Sequence, residues 1–182
     1  ILDLPNVDAG TNQEMCFGDS VVLDATVSSG NPAYTYFWSP SSGLSSPSIL
    51  NPGASPASNQ TYTLTVVDNS GCNSSDAVLV TVNPLPIVDA GNDTSICING
   101  LLQLNAAVSS GSMPYTYSWS PASGLSDSSI IDPFILVTGT VSLELSVVDV
   151  NNCIGIDSVL ISDISLPLPA FTMDTDTGCS PL

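Results

Sequence analysis

The chain has 182 residues, seventeen of them acidic, and no lysine, arginine or histidine, for a formal net charge of −17. With no cation to meet phosphate, nucleic acid and anionic membrane surfaces are poor partners. The same gap removes the usual general bases, oxyanion clamps and zinc ligands, so the composition argues against an enzyme. It also rules out a Lys–Asn isopeptide staple and leaves no cleavage point for Lys/Arg-directed proteases, which suits an extracellular life; drift in a Ser/Thr/Asn-rich repeat family is the alternative. Charged residues are only 9% of the chain and hydrophobic ones 43%, a balance that favours folded modules over disorder.

In chain order, Ile1-Leu2 align with Val82-Asn83 and read as the tail of a preceding module (1–4). The turn-rich "PNVDAG" (5–10) leads to an alternating run, "SVVLDATV" (20–27). "AYTYFWSPSSGLS" (33–45) carries a third strand and its turn, and "TYTLTVVD" (61–68) and "DAVLVTV" (76–82) alternate again. The tight turn Asp68-Asn69-Ser70-Gly71 makes a hairpin of 61–68 and 74–82. No segment has helical periodicity. The short stiff linker Asn83-Pro84-Leu85-Pro86 follows.

The module is then written a second time. Cys97 follows Cys16, Trp119 follows Trp38, Cys153 follows Cys72 and Asp157 follows Asp76, each by 81 residues, with no insertion or deletion. "PIVDAG" (86–91) repeats the opening and "PYTYSWSPASGLS" (114–126) the strand and turn. The chain therefore divides into module 1 (5–83), module 2 (84–165) and the start of a truncated third module (166–182). A unit of this size buries its own core, so the modules are beads on a string. No signal peptide or transmembrane run is present in the sequence.

About seven short strands in some 80 residues predict a Greek-key sandwich. "GDSVVLDA" (18–25) resembles the second strand of an immunoglobulin domain, and Ala25 falls where such a domain carries its first core cysteine. Trp38 matches the buried strand-C tryptophan, Tyr62 the tyrosine corner, and Leu64 the second core cysteine. In module 2 the core set is Ala106, Trp119 and Leu145, with Leu143 in place of the tyrosine. The strand position turns both tryptophans inward; exposed binding aromatics are the alternative. The expected fold is all-β: tandem immunoglobulin-like sandwiches arranged end to end, without a core disulfide.

The "PYTYSWSP-x-x-GLS" core, the paired cysteines and "VDAGNDTSIC" resemble the PKD-like repeats of Bacteroidota cell-surface proteins over nearly the whole of both modules. "FTMDTDTGCSPL" (171–182) resembles the opening of a more typical PKD domain, although both complete modules lack the "WDFGDG" motif of that domain. The resemblance implies a stalk or adhesin context, including gliding-motility adhesins exported by type IX secretion, or a spacer in a secreted hydrolase. It also implies an extracellular, cell-surface location.

Five cysteines in such a chain point to disulfides. Pairing within modules would give Cys16–Cys72 and Cys97–Cys153. If the immunoglobulin strand order holds, however, Cys16 lies where strand A turns into B and Cys72 follows the F–G turn, at the opposite end. A strand of about eight residues separates those ends by roughly 25 Å, and a disulfide requires Cα atoms within about 7 Å. Bonding across the junction fits instead: Cys16 with Cys153, Cys97 with a cysteine of module three, Cys72 with one in the predecessor and Cys179 with module four. Free buried thiols are the alternative.

Among the carboxylates, Asp19, Asp89, Asp93 and Asp149 belong to turns or strand ends expected near the junction, where oxygen-rich surfaces can hold calcium. Turn capping is the simpler reading. No other cofactor is implied. Asp19-Ser20-Val21 and Asp157-Ser158-Val159 match the Asp-Ser/Thr-apolar pattern of O-glycosylation in Bacteroidota, making Ser20 and Ser158 candidate sites under the family resemblance. The expected function is a non-catalytic stalk segment of a long adhesin or extracellular filament. Its partners are neighbouring modules, and surface polysaccharide or other cells reached through regions outside the chain. A spacer or glycan-binding module of a secreted hydrolase is the alternative.

Overall fold

The computed structural model describes residues 3–164. The third-module start, with Cys179, lies outside the described residues, as do Ile1 and Leu2.

Two β-sandwiches follow one another, with no helix among the described residues. In the first, β2 (Gln13–Cys16), β8 (Asn73–Asn83), β7 (Gln60–Val67) and β5 (Thr35–Ser39) form a four-stranded sheet in that order. Against it lie two short pairs, β1 (Asn6–Asp8) with β4 (Thr26–Ser28) and β3 (Val21–Val22) with β6 (Gly53–Ala54). The second sandwich repeats the plan. Its large sheet is β10 (Thr94–Cys97), β16 (Ile154–Ile164), β15 (Val141–Val148) and β13 (Thr116–Ser120). Its pairs are β9 (Ile87–Asp89) with β12 (Ala107–Ser109) and β11 (Leu101–Gln103) with β14 (Phe134–Leu136). This is the immunoglobulin-like order, with β2 and β10 running parallel to the last strand of their module.

Alternation explains the layering, because successive side chains of a strand point to opposite faces. Tyr62, Leu64 and Val66 of β7 and Val78 and Val80 of β8 are buried, and the residues between them face outward or lie half-covered. Trp38 stands opposite Leu64, and Trp119 opposite Leu145. Each indole turns inward and satisfies its polar edge: Trp38 Nε1 donates to the carbonyls of Ile49 and Leu50 at 3.0 and 3.2 Å. Trp119 Nε1 does the same to Ile130 and Ile131 at 3.1 and 3.3 Å. The two tryptophans are 3% and 2% exposed, so neither is a binding platform. Ala25 is equally buried, whereas Ala106 is half-buried at the margin of its core.

The second strand departs from the single alternating run expected over 20–27. It breaks into β3 and β4, which pair with different partners. The intervening backbone crosses from one partner to the other, and its amides bond outside a ladder. Leu23 N–H donates to the Pro52 carbonyl at 2.9 Å, and Ala25 N–H to Asn51 Oδ1 at 2.9 Å. Asn51 thus replaces a missing strand neighbour, a partnership that alternation does not report.

Candidate functional site

The junction is built from the trailing end of module 1 and the leading end of module 2. On the module 1 side, β2 runs beside the end of β8, with Cys16 in register with Asn83, the residue before the linker prolines. Phe17 N–H donates to the Asn83 carbonyl at 2.9 Å and Asp19 N–H to the Cys16 carbonyl at 3.0 Å, closing the turn. Cys72 lies just before the other end of β8, eleven residues away in strand. At the rise of a β-strand that is roughly 35 Å, so no rotamer joins Cys16 to Cys72.

On the module 2 side, Cys153 closes the F–G turn and is 1% exposed. Asp149 organises that turn from within. Its Oδ1 accepts the N–H groups of Asn151 and Cys153, each at 2.9 Å, and its Oδ2 accepts Ser112 N–H from the turn between β12 and β13 at 2.9 Å. Asn152 takes φ 62°, the left-handed conformation that asparagine tolerates best among residues with a Cβ. The carboxylate therefore fixes where Cys153 points.

The structure brings Cys16 and Cys153 together, with Sγ atoms 2.00 Å apart and Cα atoms 5.5 Å apart. The closed loop spans 137 residues, and in the chain-entropy model limiting the unfolded chain this way is worth about 5 kcal/mol. No hydrogen bond joins the two modules among the described residues. The joint therefore rests on the linker and the disulfide. Beside the disulfide is a polar cleft lined by Glu14, Cys16, Asp19, Asn83, Asn151 and Asn152. Elsewhere along the linker, Phe17, Ala57, Val82, Pro84, Leu85 and Ile87 line an apolar groove.

The linker is seated by a glycine that the sequence reading missed. A Cβ on Gly155 would lie against the carbonyl oxygen of Pro86, far inside contact distance. The last linker residue therefore packs on the bare backbone at the start of β16, and Pro86 is buried there. The available signal was the mismatch with Ser74, the corresponding residue of module 1.

The four aspartates expected to share the junction do not gather there. Asp19 is exposed beside the cleft, and Asp149 is turned into the F–G turn. Asp89 and Asp93 lie along the flank of module 2. Asp89 stands opposite Ala107 and caps Gly91 N–H at 2.9 Å, while Asp93 Oδ1 accepts Leu160 N–H at 2.8 Å. Asn12 makes the matching bond to Leu79 N–H in module 1 at 3.0 Å, so Asp93 holds a strand and needs no ion to do so. Among the described residues no group of three His, Cys, Asp or Glu is placed to hold a metal. Ser20 and Ser158 are both exposed, the latter in mid-strand opposite Glu144.

Asp68 is the module 1 counterpart of Asp149. Its carboxylate accepts N–H groups from Asn31, Ser70 and Cys72, each at 2.9 Å. The Asn31 amide above all, with smaller help from Cys72 and Ser70, holds its carboxyl below the ordinary aspartate value; partial burial works in the opposite direction. Asp76 and Asp157 clasp the first strand, accepting Ala9 and Ala90 N–H at 2.8 Å.

No protein-family model and no curated protein sequence matches the chain. Among solved structures it is similar to the N-terminal eight Ig domains of Down Syndrome Cell Adhesion Molecule, with a TM-score of 0.59 at 12% identity. That match covers 88% of this chain and 27% of the other. It is also similar to the C-terminal fragment of intimin, solved in complex with the intimin-binding domain of the translocated intimin receptor. There the TM-score is 0.56 at 16% identity, covering 87% of this chain and 63% of that fragment. The chain thus spans about a quarter of the first structure and under two thirds of the second. At these identities the likeness defines the fold: tandem immunoglobulin-like sandwiches.

Proposed function

We propose that this chain is a non-catalytic segment of a long extracellular, cell-surface adhesin or filament. It works as a stiff, protease-resistant stalk between a cell and a distant binding region. In this reading it belongs with the PKD-like repeats of Bacteroidota adhesins, gliding-motility adhesins of type IX secretion among them. Neighbouring modules are its immediate partners; polysaccharide or other cells are reached by regions outside the chain. Two inward tryptophans and a backbone without Lys or Arg favour this reading over a glycan-binding module.

The observation that carries the proposal is the second covalent connection beside the linker. A single linker is a hinge; two separate attachments make a two-point joint that resists bending. The attachment also changes how tension travels. In an unbridged module, load entering at β1 and leaving from β8 would shear the parallel β2–β8 ladder. With Cys16 bonded forward, the load at the end of β2 passes straight to Cys153, and the 137-residue loop is bypassed.

Single-molecule pulling between residues 3 and 164 tests this directly. Reduction of the disulfide, or the Cys16→Ser variant, is expected to lengthen the unfolded chain by roughly 480 Å, the reach of 137 residues at about 3.5 Å each. Equal lengths with and without reductant would remove the load-bearing role. A second measurement addresses stiffness: the distance distribution between spin labels on the two modules should broaden when the bond is cut.

A further inference from the structure

The two sulfurs of the joint are not equally open to solvent. Cys153 is 1% exposed, whereas Cys16 is half-buried and lines the polar cleft beside the bond. A small thiol entering that cleft, about 270 Å³ in volume, therefore meets the sulfur of Cys16. It also meets two exposed carboxylates, Glu14 and Asp19; the remaining polar lining, Asn83, Asn151 and Asn152, is uncharged. No lysine, arginine or histidine exists in the chain to offset them.

The fold does not ask for these two carboxylates. Ser95 and Gly100 stand at the matching positions of module 2, and β10 pairs with β16 there in the same parallel manner as β2 with β8. Both carboxylates are held close to the bond. Glu14 and Cys16 lie two apart on β2 and share one face of the strand, about 7 Å along it. Asp19 N–H donates to the Cys16 carbonyl at 3.0 Å. Both charges thus fall within the screening length of about 10 Å at 0.1 M salt. A thiol attacks a disulfide as its thiolate, so the attacking sulfur itself carries negative charge into this field.

We propose that this cleft is the thiol-exchange site of the joint and that it selects its reactant by charge, admitting thiols that bring a cation and holding off anionic ones. The inference goes beyond the stalk reading and needs only the bond itself. The incoming thiolate attacks Cys16 Sγ, the Cys16–Cys153 bond breaks, and Cys153 leaves as a thiolate that takes up a proton from solvent. A second small thiolate attacks the small-thiol sulfur of the mixed disulfide and frees Cys16, which is protonated in turn. One protein disulfide is reduced to two thiols, and two small thiols are oxidised to one small disulfide. The joint would then keep its second attachment among anionic thiols and lose it to cationic ones.

Reduction kinetics test the proposal. Cys72 and Cys97, unpaired among the described residues, are removed with Cys179 by the changes Cys72→Ser, Cys97→Ser and Cys179→Ser, so that only the joint reacts. The chain is treated with cysteamine, mercaptoethanol or glutathione, whose thiolate forms are neutral, singly negative and doubly negative. Loss of the bond is followed by acid quenching, alkylation and mass spectrometry. Each rate is divided by that of the same thiol toward hydroxyethyl disulfide, which removes differences in nucleophilicity. The normalised rates should fall roughly fivefold with each added negative charge at about 0.01 M salt and converge at about 1 M. Glu14→Gln with Asp19→Asn should flatten the series. Asp24→Asn with Glu144→Gln makes the same change in net charge away from the cleft and should leave the series intact. Equal normalised rates, equal flattening by the two pairs, or a rate independent of thiol concentration would overturn the proposal. None of these results alters the lengthening expected under tension once the bond is cut, so the stalk reading is tested separately.

Discussion

The two modules share a frame and differ in how they fasten it. Both use a buried tryptophan, an aspartate inside the F–G turn and an aspartate clasp on the first strand. They diverge at the tyrosine corner. In module 1 Tyr62 is fully buried and its hydroxyl donates to the Ser42 carbonyl at 2.8 Å. In module 2 Leu143 occupies that place and offers no hydroxyl. They diverge again at the start of the last strand, where Ser74 in one matches the Gly155 that receives the linker in the other. The tryptophan and the aspartates do a job every module must do alone. Gly155 seats Pro86 in module 2, whereas module 1 buries its Pro5 with a serine in that place, and Tyr62 does an optional job.

The largest expected effect breaks the comparison at that glycine. Gly155→Val places a branched side chain where the Pro86 carbonyl sits. Backbone has to move, and overpacking of this kind costs about 1–3 kcal/mol or more. The linker should lift from β16, carrying Cys153 out of reach of Cys16. Slower or incomplete closure of Cys16–Cys153 during oxidative refolding, read by non-reducing mass spectrometry, is the expected outcome. Ser74→Val should leave closure at the wild-type rate, and equal closure in the two variants would deny Gly155 its seating role.

Next in size is Tyr62→Phe. It removes the hydroxyl that satisfies the Ser42 carbonyl, and a lost buried hydrogen bond of this type costs about 1 kcal/mol. Only the transition of module 1 should shift in a calorimetric scan. Since Leu143 has no such bond to lose, Leu143→Met should move module 2 by less, as volume-conserving apolar exchanges do.

Much of this frame was legible in the sequence. Alternation located the long hairpins, because β7 and β8 are covered on one face only, and the step of 81 residues carried every assignment into module 2. The split second strand was not legible. Leu23 and Ala25 keep the alternation while their amides leave the ladder for Pro52 and Asn51, and backbone partners leave no trace in a hydrophobic pattern. The grouping of Asp89 and Asp93 with the junction went wrong for a related reason. The strand map fixed which end a turn belongs to, yet these two residues sit between the ends, on the flank of the module.

A smaller difference should appear in acid. The folded carboxyl of Asp68 titrates below the ordinary aspartate value of 3.8. Its contribution is therefore fully present above that value and is lost as the pH falls through the lowered one. Protonation elsewhere on so acidic a chain relieves repulsion and acts in the opposite sense. Asp68→Ala separates the two. The stability of module 1 in the variant should decline less steeply below about pH 4 than in the wild type, measured by urea unfolding across pH. An unchanged slope would mean that the Asn31, Ser70 and Cys72 amides do not set the titration.

The smallest expected effect concerns ions, and it sharpens the comparison between Asn12 and Asp93. These residues hold the same strand in the two modules with one charge of difference. With a net charge of −17 and no cation in the chain, salt should raise the melting temperature by screening like charges. Module 2, with carboxylates at 93 and 132 where module 1 has Asn12 and Asn51, should gain slightly more. Calcium and magnesium at equal ionic strength should give the same rise, since the turn carboxylates are already spent on backbone amides and no three cluster among the described residues. A much larger rise at micromolar calcium would mean that ion binding outweighs turn capping. The Asp19→Asn and Asp93→Asn variants would then show which module holds the ion: loss of the calcium response in the first points to the junction cleft, and in the second to the flank of module 2.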